Sequence, residues 1–196
     1  KSYFAMREVS IRKDECGYQR ICLNGDPIFQ YGTLDQGWWP DGLLTPPSEE
    51  AMLWDMVQLK NMGFNTIRKH IKVEPEQYYY ADSLGLMMWQ DMVSGFSTER
   101  KDEEHIKPNA QTDWNAPASH TNQWQQEMFE MIDRLRFYSC ITTWVIFNEG
   151  WGQHNTVEIV EKVMEYDKSR IIDGVTGWTD RGVGHMYDVH NYPSAS

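Results

Sequence analysis

From Pro27 onward the chain alternates short apolar runs with longer stretches whose apolar positions recur three and four residues apart. Short runs rich in β-branched and aromatic residues predict buried strands, and the longer spacing predicts helices. Strands are expected over 27–32, 64–68, 86–91, 141–147, 171–175 and, as a shorter sixth, 186–190. Between them, Pro46-Pro47 halts the chain and Ser48 can N-cap a helix, with Glu49 and Glu50 in its first turn. Leu53, Met56, Val57 and Lys60 trace its stripe, and Met62-Gly63 ends it. Pro75 opens a second helix through Tyr78, Tyr79 and Ala81 that closes near Gly85. A third is expected over 122–138, burying Trp124, Met128, Met131, Ile132 and Leu135. A fourth begins near Thr156 and holds Val157, Val160, Val163 and Met164. A long polar stretch from Met92 to about His120 breaks the alternation, and loops of that length are usually functional or mobile.

Strands alternating with helices imply right-handed crossovers and a parallel sheet. A doubly wound sheet usually carries a glycine-rich phosphate loop after its first strand. Here the first strand leads into Gly32-Thr33-Leu34-Asp35-Gln36-Gly37-Trp38-Trp39, which has no such fingerprint. A (β/α) TIM-type barrel is the better fit, incomplete at about six of its eight strands. Residues 1–23 read differently. Tyr3 to Ile11 alternates partially, Lys13 to Gly17 is a turn, and Gln19 to Leu23 is a return strand, followed by the tight-turn pair Asn24-Gly25.

The net charge of −11 opposes binding to nucleic acid and to anionic membrane surfaces. No stretch is long and apolar enough to suggest a transmembrane helix. Cys16, Cys22 and Cys140 have no metal-ligand spacing, and free thiols are expected. Nine Trp and ten Tyr supply flat faces with a polar edge, suited to stacking on sugar rings as well as to core packing.

The expected strands carry polar groups at their C-terminal ends, where barrels place their chemistry. Strand one ends near Asp35. Strand two ends in Arg68 and His70, and strand three in Trp89 and Asp91. Strand four ends in Asn148-Glu149, followed by Gly150-Trp151-Gly152. Trp178 follows strand five, and His190 and Tyr192 lie at strand six. Each residue has a structural alternative: Glu149 as a helix cap, Arg68 and Asp91 as an ion pair, Trp89 as core. Together they form a rim of carboxylates, amide, imidazoles, guanidinium and indoles. Glycoside hydrolysis needs that mixture. One carboxyl group protonates the leaving oxygen, and a second attacks C1 or activates water. Glu149 is the first candidate for the acid/base.

Four stretches resemble glycoside hydrolase family 2, the family of β-galactosidases and β-glucuronidases. Tyr3-Phe4-Ala5-Met6-Arg7 is similar to the last strand of the immunoglobulin-like domain that precedes the barrel. Leu23 to Phe29 resembles the entry to barrel strand one. Asn65 to His70 with Tyr78 to Trp89 resembles one family signature, and Ser139 to Glu149 the other. The resemblance implies a retaining glycosidase of β-galactosidase type, with Glu149 as acid/base and Asn148 beside it on the sugar. It places Arg68 in support of the nucleophile, and His190 and Tyr192 on strand six. It implies a carbohydrate substrate, no cofactor and no metal. It divides the chain into 1–23, the end of a β-sandwich domain with its linking hairpin, and 24–196, the N-terminal part of the barrel. The chain departs from the family at Lys69, where a small residue is usual, and at Ile71-Lys72, where an aromatic-Pro pair is usual. The family nucleophile, a Glu at the end of strand seven, is expected beyond Ser196. Six strands with open edges are expected to self-associate. Two other classes compete. A non-catalytic carbohydrate-binding barrel would use the rim only to bind. A metal-dependent barrel hydrolase would use His70, His154, His185 or His190, but no His-X-His pair ends strand one.

Overall fold

The computed structural model describes residues 2–70, 74–97, 99 and 101–193. The departure at Ile71-Lys72 lies outside them. Two sheets form among these residues. β1 (Val9–Lys13), β2 (Gln19–Leu23) and β3 (Asp26–Pro27) make an antiparallel sheet in the order β1-β2-β3. Val9 faces Leu23 and Lys13 faces Gln19, which is the expected hairpin. β4 (Gly32–Asp35), β5 (Thr66–Lys69), β6 (Met87–Asp91), β7 (Ile141–Asn148) and β8 (Ile171–Thr176) make a five-stranded sheet in sequential order. β4 pairs parallel to β5, and β5 to β6. Helices α1 (Glu49–Asn61), α2 (Pro75–Leu84), α3 (Ala118–Leu135) and α4 (Thr156–Tyr166) alternate with the strands. This is the strand-helix alternation of a TIM barrel, five strands long.

Two expected strands are corrected. The first, expected over 27–32, runs Gly32–Asp35. Pro27 pairs with Cys22 in the antiparallel sheet, and Phe29 and Tyr31 are exposed. The Asn65 side chain holds this approach in place of a ladder. Its Oδ1 accepts from Tyr31 N at 2.8 Å, and its Nδ2 donates to Phe29 O at 2.8 Å. The sixth strand, expected over 186–190, does not form. Asp188 Oδ1 takes the Gly177 amide at 3.2 Å, a side chain doing what a neighbouring strand would do. Tyr187 and Val189 point into solvent.

The chain folds as two units. Unit one comprises Lys1–Gln90, Asp133–Thr143 and Ser169–Ile171. Its apolar core is Met52 and Met56 of α1 with Ile67, Tyr78, Ala81, Leu86, Met88 and Ile141. Ser48 caps α1 as its sequence predicts, accepting from Ala51 N at 3.1 Å. Of the expected stripe, Met56 is buried with Met52, four residues before it, while Lys60 is exposed. Pro75 starts α2, and Gly85 ends it at φ 70°. Arg170, 6% exposed, gathers three backbone oxygens around the turn into β7: Ile141 O at 2.8 Å, Arg136 O at 2.8 Å and Tyr138 O at 3.1 Å.

Unit two comprises Asp91–Ile132, Trp144–Lys168 and Ile172–Ser196. Met128 and Ile132 of α3, Val145 and Phe147 of β7, and Ile159, Val160 and Val163 of α4 form its core. Trp124 stacks on Phe147, ring centres 5.0 Å apart at 4°. His154 stands edge-on to Trp114, Trp124, Phe147 and His120. Its Nδ1 lies 2.7 Å from Gly152 O. A carbonyl only accepts, so Nδ1 carries the proton and Nε2 is bare. Burial among rings favours that neutral form and holds the His154 pKa below its ordinary 6.5, with His120 adding to the effect.

The two cores can be tested separately. Arg170→Met leaves three carbonyls without their charged donor, a loss of about 3 kcal/mol or more. At roughly 2–4 °C per kcal/mol for a chain of this size, the thermal midpoint should fall by about 6–12 °C. Lys168→Ala, which removes an exposed pair with Glu165, should change it by less than about 2 °C. For His154, the unfolded chain binds a proton near 6.5 and the folded chain binds it only at lower pH. Its contribution to stability is therefore full above 6.5 and lost as pH falls through 6.5 toward the folded value. Midpoints measured between pH 7.5 and 5 should decline less steeply in His154→Phe than in the parent. Equal slopes would contradict this account.

Candidate active site

Glu149 immediately follows β7, a strand buried at all eight positions. Ile141 to Asn148 is apolar, β-branched or aromatic up to its last residue, which is why the strand runs unbroken to its tip. The backbone then turns at once. Glu149 has φ +52°, Gly150 +72° and Gly152 +62°. A non-glycine residue in the left-handed region is strained by about 1–2 kcal/mol, and such strain gathers at functional sites. The Glu149 amide donates to Thr176 O at the end of β8, 2.9 Å away.

Three side chains converge there within unit two. His190 Nδ1 lies 2.7 Å from Glu149 Oε1, and the Tyr192 hydroxyl donates to the same oxygen. His190 Nε2 is 3.6 Å from Asp188 Oδ1, so the imidazole lies between two carboxylates. Asn148, 8% exposed, accepts at Oδ1 from Thr176 Oγ1 at 2.6 Å, which fixes the direction of its amide. Gly177 makes room for this cluster. A Cβ there would sit 2.7 Å from His190 Nδ1 and 3.2 Å from Glu149 Cγ. Trp178 stands edge-on to His190, ring centres 6.4 Å apart. Asp91, the other expected residue of this unit, is fully buried at the end of β6.

Asp35, Arg68, His70 and Trp89 belong to unit one. Arg68 is half-buried in β5, and His70 directly follows that strand. Trp89 donates its indole N–H to Gln30. Asp35 Oδ2 accepts from Lys69 Nζ at 2.9 Å and Gln77 Nε2 at 2.7 Å, while Oδ1 accepts from Gly37 N at 2.7 Å. Burial pushes this carboxyl up, but the Lys69 charge and these donors outweigh it, and the pKa lies below the ordinary value. Lys69 is fully buried and also pairs with Glu74.

Sequence reasoning missed Thr176, Lys69 and Gln77 as partners of site residues. It also missed the segment Glu104-His105-Ile106, which lies against the Gly150–Gly152 turn through Ile106 N to Gly150 O at 2.9 Å and Gly152 N to Glu104 O at 2.7 Å. The two glycines of Gly150-Trp151-Gly152 were its available signal, since closely spaced glycines mark close backbone approach.

The strand-helix alternation describes a barrel segment, and on the barrel the family comparison agrees. The profile of Glycosyl hydrolases family 2, TIM barrel domain, matches residues 47–191, and the chain belongs to this family. A putative beta-glucuronidase of Formosa agariphila is 29% identical over 70% of the chain and 12% of its own length. An exo-beta-D-glucosaminidase of Amycolatopsis orientalis is 26% identical over 74% of the chain and 13% of its own length. The chain thus spans about an eighth of these relatives. The crystal structure of Parabacteroides merdae beta-glucuronidase superposes with a TM-score of 0.65 at 18% identity, covering 86% of the chain and 20% of that structure.

Two glycine substitutions test the packing around Glu149. Gly177 (φ +93°) and Gly182 (φ +69°) both lie in the left-handed region, but a Cβ at Gly182 meets nothing within 4 Å. Both alanine variants should lose about 1 kcal/mol to backbone strain. Gly177→Ala should lose a further 1–3 kcal/mol or so from overpacking against His190 and Glu149. Chemical denaturation of the two variants gives the difference directly, and equal losses would contradict the contact.

Proposed function

We propose that this chain is the acid/base-bearing part of a retaining β-glycosidase. The observation that carries the reading is the Glu149 carboxylate, held by His190 and Tyr192 on one oxygen at the end of a buried strand. In this reading Glu149 protonates the glycosidic oxygen as the bond from C1 to that oxygen breaks. A second carboxylate attacks C1 and forms a glycosyl-enzyme. Glu149, now ionised, then takes a proton from a water molecule whose oxygen attacks C1 as the bond from C1 to the second carboxylate breaks and that carboxylate leaves. With Oε1 accepting from His190 and Tyr192, the transferable proton sits on Oε2. Asn148, oriented by Thr176, faces the sugar's 2-hydroxyl. Trp178, edge-on to His190, offers its ring to the sugar, while Asp91 has no exposed surface with which to touch it. β-Galactosides are the first substrates to assay, as the sequence resemblance puts them. The names of the relatives put β-glucuronides and β-glucosaminides beside them.

The test uses the full-length polypeptide that contains this chain. Glu149→Gln should lower kcat on glycosides with poor leaving groups by about 10²–10⁴-fold, the range a positioned general acid contributes. Activated aryl glycosides need no acid assistance for bond cleavage and should lose far less in that step. Proton NMR of the first-formed sugar should show the anomer of the substrate. Equal losses on both substrate types, or an inverted anomer, would overturn the reading.

A further inference from the structure

The geometry points to His105 as a positioning residue for Glu149, a role that rests on the function proposed above. The one-turn 3-10 helix Asp102–Glu104 delivers His105 to the Gly150–Gly152 turn. There the chain pairs as a short antiparallel bridge, His105 opposite Trp151. The two rings stack face to face, centres 3.4 Å apart and 5° from parallel, and Phe96 closes on Trp151 edge-on at 5.6 Å. The backbones lie flush. A Cβ on Gly150 would come within 2.2 Å of Ile106 O, and one on Gly152 within 1.9 Å of Gly95 O. Behind the bridge, the buried Glu104 carboxylate accepts from Ser97 N at 3.1 Å and from the Ser97 hydroxyl.

The tautomer of His105 is set by its neighbours. Lys107 Nζ lies 3.3 Å from Nδ1. An ammonium group only donates, so Nδ1 accepts and the ring proton sits on Nε2. Nε2 lies 3.0 Å from Glu149 O and donates to it. The strained Glu149 residue is thereby held on both sides: its amide by Thr176 O, its carbonyl by the His105 imidazole. Those two bonds fix the direction of the bond from Cα to Cβ, and with it the line along which the carboxyl group reaches the glycosidic oxygen. His105 touches no reacting atom. It acts through the backbone of the residue that does.

The test again uses the full-length polypeptide. His105→Phe keeps a flat ring on Trp151 and removes the donor. His105→Gln restores an N–H near the Nε2 position without the ring. His105→Phe should lower kcat on glycosides with poor leaving groups by about 10- to 100-fold, part of what a positioned acid supplies. KM and turnover of activated aryl glycosides should stay near the parent values, and His105→Gln should recover most of the loss. Equal loss on both substrate types, or no recovery by glutamine, would overturn the positioning role. Glu149→Gln in the same assay separates the two claims. If it shows the leaving-group dependence and His105→Phe does not, the positioning role alone falls. If neither shows it, the glycosidase reading falls and takes this role with it. Should His105→Phe fail to fold, ¹⁵N-resolved imidazole NMR of the parent decides. An Nε2–H tautomer at His105 supports the proposal, and an Nδ1–H tautomer overturns it.

Discussion

A strand buried at every position leaves its last residue little freedom, and β7 makes that constraint the organising fact of this chain. Side chains of Ile141 to Asn148 pack on both faces, so the strand can neither tilt nor slip without exposing apolar surface. The residue after it must turn out of the sheet at once, and Glu149 does so in a conformation that favours glycine. Everything near it serves that turn. Thr176 holds the amide of Glu149 and the side chain of Asn148. Gly177 yields space, and the Gly150–Gly152 turn accepts the flush contact of residues 104–106. Rigidity of the strand and strain of the turn together give one carboxyl group one direction.

Much of this was legible in the sequence because it depends on local rules. Four of the five strands of the parallel sheet, the four helices, the Ser48 cap, Pro75 and the Gly85 stop are written in short-range propensity and period. The position of Glu149 followed from the apolar run before it. The failures share a cause. At 27–32 and 186–190 apolar residues gather as in a strand, but side chains have taken over the backbone's hydrogen bonding: Asn65 in the first case, Asp188 in the second. No local pattern announces that a distant amide or carboxylate will replace a ladder.

The same limit applies to the site. Lys69 sits between Arg68 and His70 at a strand end, and strand alternation sends it to the opposite face from these neighbours. It is fully buried and its charge is consumed by Asp35 and Glu74. His105 carried no signal of its own, since 44 residues separate it from the carbonyl it holds. Only the closely spaced glycines of the turn hinted that another segment would lie against it.

The Lys69 cluster has a consequence for how the protein meets its medium. Pairs such as Lys162–Glu158 and Lys168–Glu165 lie in solvent and are screened within a Debye length of about 8 Å at physiological ionic strength. Lys69 has no exposed surface, and mobile ions cannot come between it and its two carboxylates. Salt should therefore weaken the hold of Lys69 on Asp35, whose own side chain is 26% exposed, far less than it weakens the helical pairs. The helical surfaces register every change in the surrounding electrolyte, while the carboxylate at the end of β4 keeps its charge and its aim.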